Sequence, residues 1–480
     1  MFDTGVRQFR MAMGMVTGRR IDPANLARLI NDARATITEF GEPGAGAREL
    51  VDGPLADPET RVDFATRGLR RTAVRLAATS PFYARRFAAA GITANKFDLD
   101  ALRGIPVTVK RELIDQHQEF RCAGVAPQLA TRTTGTTGRP AEIWISQYEL
   151  ELWSGMSALT GVLRDEIRPS DIMQVNVSSR ATASVHLTAA ISRLAGAGCR
   201  VVGVVPPDEA LDGLLDGPTM MSTSASYLGE LVVAARRRGL ASHDFRLRRI
   251  DVGGEILSPA LAAAATQTFG GRVNDTFGMT EVIPVTATTC SQGHLHHDIN
   301  MGLVELLDLD SGEPAEPGAL STVVITPYYP YRECMPVFRY DTRDVVRRLP
   351  DEPLTCEIAG LPAVSQIVGK ADQIIRLGDG AVITPRDIVE AVEDLPSRPW
   401  PARFRTRVQR GRVVLELPVS AVAGLGQQAA RQHFTDRGFD VQIELVHDDV
   451  AADLRHVRGD LREATFVSPP VAIGGRHAAR

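Results

Sequence analysis

DIMQVNVSSRATASVHLTAAISRLAGAGCRVVGVVP, residues 171–206, places two short β-branched runs on either side of a stretch whose apolar residues recur at helical spacing. The alternation continues downstream, where SYLGELVVAARRRGL (226–240) reads as a helix and RRIDVGGE (248–255) as the next strand. Strands joined through helices cannot pair through tight turns, so the pattern implies a parallel sheet covered by helices. Upstream, ETRVDFATRGLRRTAVRLAATSPFYARRFAAAGI (59–92) carries one helical pattern that stops at Gly91.

From about residue 303 the pattern changes: LVELLDLDSGEPAEPGALSTVVITP is two strands around a turn of Gly, Pro and acidic residues, the hairpin of a smaller β subdomain. QIVGKADQIIRLGDGAVITPRDIVEAVEDLP (366–396) begins a fresh unit: two short strands, a turn at Gly378–Asp379–Gly380 and a helix from about Pro385. RVVLELPVS, a helix near 425–438 and DVQIELVH complete a small α+β body. The expected fold class is therefore α/β. A large N-terminal domain (1–368) carries mainly parallel sheets and a β subdomain, followed by a small C-terminal α+β domain (369–480).

A chain of 480 residues is long enough for at least two cores. Hydrophobic residues make up 44% and charged residues 23%, and no apolar run approaches the roughly 20 residues needed to span a bilayer. MFDTGVRQFRMAMGMVTGRR lacks the apolar core and cleavage site of a signal peptide and reads as a helix or ordered arm. The net charge of −4 offers no basic field for nucleic acid. Five cysteines, an odd number, point to a reducing cytoplasm. Lys96, Lys110 and Lys370 are the only lysines, so chemistry that demands an ammonium has few places to find it.

Between the first helices and the strands lies TRTTGTTGRP (131–140). A Ser/Thr/Gly loop between extended segments can turn backbone N–H groups and hydroxyls into one concavity that suits phosphate, although this is not a Walker A loop. A plain polar surface loop reads equally well from these residues alone.

TTGTTGRP (133–140), VGGE (252–255), NDTFGMTE (274–281), FRYDTRD (338–344) and VGKADQIIRLGDG (368–380) occur in the order and approximate spacing of the adenylate-forming ligases. SPFYARRF (80–87), IPVTVKRELI (105–114) and the R-Y-x-T-R-D form of the aspartate motif resemble the phenylacetate–CoA ligase branch. The resemblance runs from about residue 60 to 476. It implies that Thr133, Thr134, Gly135, Thr136, Thr137 and Gly138 wrap the β- and γ-phosphates of ATP, with Arg139 in a position usually held by lysine. Gly253, Gly254 and Glu255 flank adenine with Asp275 nearby, and Phe277 stacks close to it. Thr280 contacts the α-phosphate, Glu281 holds Mg²⁺, and Asp344 receives the ribose hydroxyls, with Lys370 at the domain junction. The plainer readings are a solvated helix-start acid for Glu281 and a pairing with Arg343 or Arg339 for Asp344. The C-terminal domain is expected to be mobile, rotating near Gly369 and Lys370 between half-reactions.

Such ligases usually keep a lysine near the C-terminus, yet none follows Lys370 here. The tail VAIGGRHAAR sets Gly475 and Arg476 at that position, with Arg476 either a stand-in cation or part of an irrelevant tail. CSQGHLHH (290–297) puts His294, His296 and His297 beside Cys290. Cys290, His296, Cys334 and Cys356 would complete an S₃N set for structural zinc, a pattern some phenylacetate–CoA ligases resemble; otherwise Cys334 and Cys356 are buried fillers.

By loose placement from the family, the acid pocket is lined by Trp153, Ser179, His186, Ser222, Thr223, Tyr227, Gly278 and Met279, which suits an aryl or arylalkenyl carboxylate. Trp153 and Tyr227 read equally as core aromatics. Three readings stay open. The first is an AMP-forming ligase that uses ATP and Mg²⁺ and passes the acyl group to coenzyme A or another thiol or amine. The second is an enzyme that adenylates nitrite for attack by an aryl amine. The third is a nucleotide-binding relative that no longer catalyses. The expected partners are the small-molecule acid and nucleophile, with a homodimer allowed for and neither nucleic acid nor membrane involved. The Arg- and Ala-rich, lysine-poor composition fits a high-GC bacterium and secondary metabolism.

Overall fold

The computed structural model describes residues 2–41, 57–133, 140–178, 181–377, 380–409 and 412–448. Its centre is an eight-stranded sheet in the order Ala363–Val364, Leu295–His297, Ala287–Thr289, Arg272–Phe277, Arg249–Gly253, Met220–Thr223, Ile172–Asn176 and Gly198–Val201. The last five strands are parallel and the first three pair antiparallel. The parallel half follows the expected strand–helix alternation, with the helices Thr182–Ala195 and Ala225–Arg237 between strands. Ser224 caps the second helix by accepting from the Tyr227 N–H, and Gly196 ends the first in a left-handed conformation.

The stretch read as one helix over 59–92 is two helices, Pro58–Thr79 and Pro81–Ala89. Ser80 causes the break: its N–H closes the first helix on the Leu76 carbonyl, and its hydroxyl accepts from Tyr83 N–H to start the second. Pro81 has no N–H to continue the ladder and suits the first position of a new helix. The N-terminal segment forms the helices Phe2–Thr17 and Pro23–Phe40. The second lies so close to the helix Gln147–Leu163 that a Cβ at Gly155 would stand 2.5 Å from a Leu26 methyl.

The expected hairpin is present as Gly302–Asp308 and Leu320–Pro327, extended by Tyr340–Arg347 and Gly369–Lys370 into a four-stranded antiparallel sheet. Its third strand bulges: Asp341 pairs with Val324 and Val345 with Thr322, so Thr342, Arg343 and Asp344 stand opposite Val323 alone. Bulges bend a strand and re-aim its side chains, which bears on the site below.

Beyond this sheet, residues from Ile375 to Ile443 gather a separate core that includes Phe404, Leu415 and Phe434. It is built on the strands Arg405–Gln409, Arg412–Pro418 and Val441–Val446 and the helices Pro385–Glu393 and Gln427–Thr435. The two bodies interlock: Ile256 enters the C-terminal core, while Trp400 enters the core of the large domain. Among the described residues, no helix is long and apolar enough to cross a membrane.

Candidate active site

The strands Leu129–Arg132 and Glu142–Ile145, on either side of the threonine-rich stretch, pair antiparallel. At its base Thr133 donates its N–H to the Ala141 carbonyl at 3.0 Å and accepts the Ala141 N–H on its hydroxyl at 3.0 Å. Thr133 is thus committed to Ala141. Thr134, Gly135, Thr136, Thr137, Gly138 and Arg139 lie outside the described residues, as do Ser179, Gly475 and Arg476.

Parallel strands all end on one edge of their sheet, where open α/β folds bind ligands. Thr223, Gly253 and Phe277 end three such strands. A Cβ on Gly253 would meet the Thr276 hydroxyl at 3.1 Å, and Gly254 turns the chain at φ +80°, so the VGGE glycines answer close packing and a left-handed turn. Glu255 accepts the Ser226 N–H at 2.6 Å and so caps the helix Ala225–Arg237. Phe277 stands edge-on to the ring of His297 at 5.9 Å. His297 is buried, both its ring nitrogens lack a hydrogen-bond partner among the described residues, and burial pushes its pKa down to about 4. Asp275 is half-buried; desolvation pushes its pKa up to about 6 against the pull of Arg386, which reaches to 3.8 Å from the C-terminal domain.

The turn after this strand exposes Gly278, leaves Met279 and Thr280 half-buried and then buries Glu281, which is 2% exposed. Burying a carboxylate is costly unless it is paired. Glu281 receives the Tyr340 hydroxyl at 3.4 Å and faces the Lys110 ammonium at 3.6 Å. Tyr340 begins the strand that carries Asp344. Burial and then the Glu281 charge hold the Tyr340 pKa well above its ordinary value, so it stays a proton donor. Asp344 is held by Lys370, whose Nζ lies 2.8 Å from Oδ2 and also donates to the Thr342 carbonyl at 3.1 Å. Burial raises the Asp344 pKa despite Lys370, and the charge of Glu281 raises it further. The plainer pairing of Asp344 with Arg339 is absent: Arg339 forks onto Glu305 at 2.9 and 3.1 Å.

Lys110 is the residue that sequence reasoning passed over. IPVTVKRELI was quoted without a role, although with only three lysines in the chain the one inside it merited attention. Its position is fixed because Thr108 bonds to the Phe338 and Arg339 carbonyls and accepts from Asp341 N–H, which locks the segment to the Asp344 strand. Lys96 is exposed.

The residues expected to contact the acid separate. Ser222 is half-buried beside Thr223, and His186 is exposed on its helix. Trp153 and Tyr227 are core residues instead of an open pocket wall. The Trp153 indole N–H donates to the Tyr331 carbonyl at 2.7 Å beneath the guanidinium of Arg332, and the Tyr227 hydroxyl donates to the Val205 carbonyl at 2.6 Å.

The sulfur and nitrogen cluster forms with a corrected membership. Ligand atoms of Cys290, His294 and His296 all lie within 4.8 Å of one another. Cys356 Sγ is 3.3 Å from His296 Nε2, and His296 Nδ1 is held by the Leu361 carbonyl at 3.0 Å, which aims the other nitrogen at the cluster. The buried Nδ1 of His294 has no hydrogen-bond partner among the described residues. Cys334, expected in this set, lies elsewhere: its carbonyl accepts from Cys122 and its N–H donates to Glu149. Pairing of Ala363–Val364 with Leu295–His297 carries the Cys356 segment to the histidines, and no element carries Cys334 there. Adding Cys356 through its contact with His296 gives two sulfurs and two nitrogens, donor types that suit zinc.

The AMP-binding enzyme family matches residues 123–320. Phenylacetate-coenzyme A ligase from Pseudomonas putida is 26% identical over 325 residues, covering 65% of this chain and 71% of that protein. The Escherichia coli (strain K12) ligase of the same name is 25% identical over 321 residues, with coverage of 65% and 71%. The crystal structure of 2-hydroxyisobutyryl-CoA ligase in the postadenylation state with R3-HIB-AMP superposes with a TM-score of 0.68 at 20% identity, over 82% of this chain and 87% of that one. A benzoate CoA ligase from Burkholderia xenovorans LB400 gives 0.51 at 14% identity, over 68% and 66%. With the motifs in family order, residues 123–320 match the AMP-binding enzyme family and the chain is similar to the phenylacetate-coenzyme A ligases over 65% of its length, which supports an ATP-dependent, AMP-forming ligase of the adenylate-forming superfamily.

Proposed function

We infer that the chain activates an aromatic or arylalkenyl carboxylate with ATP and passes the acyl group to coenzyme A. A carboxylate is a poor electrophile because its leaving group would be oxide. Its oxygen attacks the α-phosphorus of ATP, pyrophosphate departs, and the resulting acyl-adenylate has AMP as its leaving group. This displacement needs positioning and charge neutralisation more than covalent help from the protein.

The observation that carries the reading is that one strand carries both Tyr340, whose hydroxyl reaches the buried Glu281 beside Lys110, and Asp344, which is held by Lys370. Glu281, an acceptor-only group with lone pairs beyond its two described partners, would hold Mg²⁺, which supplies charge neutralisation for the triphosphate when bound. Asp344 would receive the ribose hydroxyls, with Lys370 fixing its direction. Phe277 and Gly253–Gly254 would bracket adenine, and Thr280 would sit at the α-phosphate. Coenzyme A and an aryl acid are supported by the names of the phenylacetate- and benzoate-specific relatives and by Phe277 and Met279 at the strand end. Trp153 and Tyr227 add nothing to that support.

The test is pyrophosphate and AMP release with ATP and Mg²⁺ across aryl acids, small hydroxy acids, and nitrite with aryl amines. Release with an aryl acid, followed by thioester formation with coenzyme A, is the expected result. Release that requires nitrite and an aryl amine replaces this reading, and no release with any acid rejects it.

Zinc at Cys290, His294, His296 and Cys356 is a second part of the proposal, supported by the two sulfurs and two nitrogens and the oriented His296. It would tie the segment around Cys356 to the edge of the main sheet. The purified chain is expected to carry about one zinc per molecule, and a strong chelator should lower its thermal midpoint because metal binding is coupled to folding. Replacing Cys334 by serine should leave the zinc content unchanged. Metal-free protein with a chelator-insensitive midpoint removes the site.

A further inference from the structure

Among the described residues, four other than glycine hold a left-handed backbone: Asp165 (φ 57°), Arg339 (φ 47°), Arg343 (φ 61°) and Arg398 (φ 49°). That conformation crowds Cβ against the backbone and persists only where its surroundings hold it. Three of the four have a side-chain partner within the chain. Asp165 forks with Arg168 at 2.7 and 2.5 Å. Arg339 pairs with Glu305 and donates to the carbonyls of Leu102 and Ile105 at 3.0 and 2.6 Å. Arg398 lies over the Trp400 ring at 6.0 Å.

Arg343 differs. Its guanidinium makes no hydrogen bond, ion pair or ring contact among the described residues. It sits partly buried at the bulge, one residue before Asp344. The bulge is secured without it: the Thr342 hydroxyl donates to the Val323 carbonyl at 2.7 Å, Asp344 N–H donates to the Thr342 hydroxyl at 3.1 Å, and Arg343 uses only its backbone N–H, donated to Asp341 at 2.9 Å. Glycine or asparagine would suit that backbone better than arginine. None of the bonds that secure the bulge uses the guanidinium. The neighbouring anions already have cations, Asp344 with Lys370 and Glu281 with Lys110. A permanently charged, planar fork remains one residue from Asp344 with no acid paired to it among the described residues.

We propose that Arg343 binds the phosphate chain of the adenine nucleotide and sets the preference for ATP over uncharged adenosine. The proposal rests on the ATP-dependent reading of this site. Arginine suits the task because two parallel N–H donors match two phosphate oxygens, and its charge does not depend on pH. The strain at φ 61° is then the cost of aiming that fork from the bulge that also aims Asp344.

The test compares the wild-type chain with Arg343→Asn, Arg343→Gly and Arg343→Lys, titrated calorimetrically with ATP, AMP and adenosine in the presence of Mg²⁺. Asparagine and glycine relax the backbone, so both variants should melt at or above the wild-type midpoint. The dissociation constant for ATP should rise about tenfold or more in both. Adenosine should bind within about twofold of wild type, and Arg343→Lys should recover part of the ATP affinity. Unchanged ATP affinity in Arg343→Asn overturns the role of Arg343, as does an equal loss for adenosine. Failure of the wild-type chain itself to bind ATP overturns the nucleotide reading of the site and the proposal with it.

Discussion

Glu281→Gln lowers the rate of pyrophosphate release by about 10²–10³-fold at saturating acid and ATP, an expected loss on the scale of one preorganised electrostatic group. The substitution keeps the shape and leaves an oxygen for the Tyr340 hydroxyl, which lies 3.4 Å away. It removes the negative charge that faces Lys110 at 3.6 Å, and with it the single buried carboxylate on the turn after Phe277. Lys110 is then left with an excess positive charge, which favours the triphosphate electrostatically but disfavours a second cation. The loss should therefore be steepest at low Mg²⁺ and shrink as Mg²⁺ is raised, while the affinity for adenosine changes little. Steady-state pyrophosphate release measured against Mg²⁺ concentration checks this. A variant with wild-type rates at limiting Mg²⁺ would remove Glu281 from the metal site and return it to a structural partner of Tyr340.

The motifs mark Glu281 in the turn after a strand, Gly253–Gly254 at a strand end and Asp344 at a bulge inside its strand, features that their own residues specify locally. Gly254 at φ +80° and the T-R-D bulge are local features with local signatures. Convergence across the sheet was harder to read. Cys334 and His294 are equally plausible zinc ligands in one dimension, and only the pairing of Ala363–Val364 with Leu295–His297 decides for His294. Trp153 and Tyr227 looked like pocket aromatics because a sequence does not reveal that a main-chain carbonyl waits for each polar end. Two elements were legible but overlooked. The break at Ser80–Pro81 carries a cap and a proline, and the helix Pro23–Phe40 has Asp22, Pro23 and Gly41 as its start and stop. The strand Arg405–Gln409 alternates charged and small residues and gives almost no hydrophobic signal.

Asp275→Asn is expected to stabilise the protein at alkaline pH, by about 2–3 kcal/mol relative to wild type at pH 8, with no gain near pH 4. The sign follows from the direction of the shift. Burial raises the Asp275 pKa to about 6 in the folded chain, whereas an unfolded aspartate titrates near about 3.9. Between those values the folded state binds more protons than the unfolded state, so stability falls as pH rises through the window, and the penalty is complete above about pH 6. Asparagine resembles the neutral acid and never meets that penalty. The attraction of Arg386 is already included, since the pKa is raised in spite of it. Arg386 does not depend on the pair for its place, because it also donates to the Leu257 and Ile367 carbonyls at 2.9 and 2.7 Å and anchors the C-terminal domain through them. Thermal midpoints of the two proteins from pH 4 to pH 8 measure the difference directly. A variant that loses stability at pH 8 would mean that the Asp275–Arg386 attraction outweighs desolvation. The expected gain has a functional reading: a carboxylate that weakens the fold at neutral pH, on the strand that ends in Phe277 and facing an arginine of the C-terminal domain, is a candidate for a role in function. The same variant should then couple nucleotide binding less tightly to the position of the C-terminal domain, seen as a higher KM for ATP despite the more stable fold.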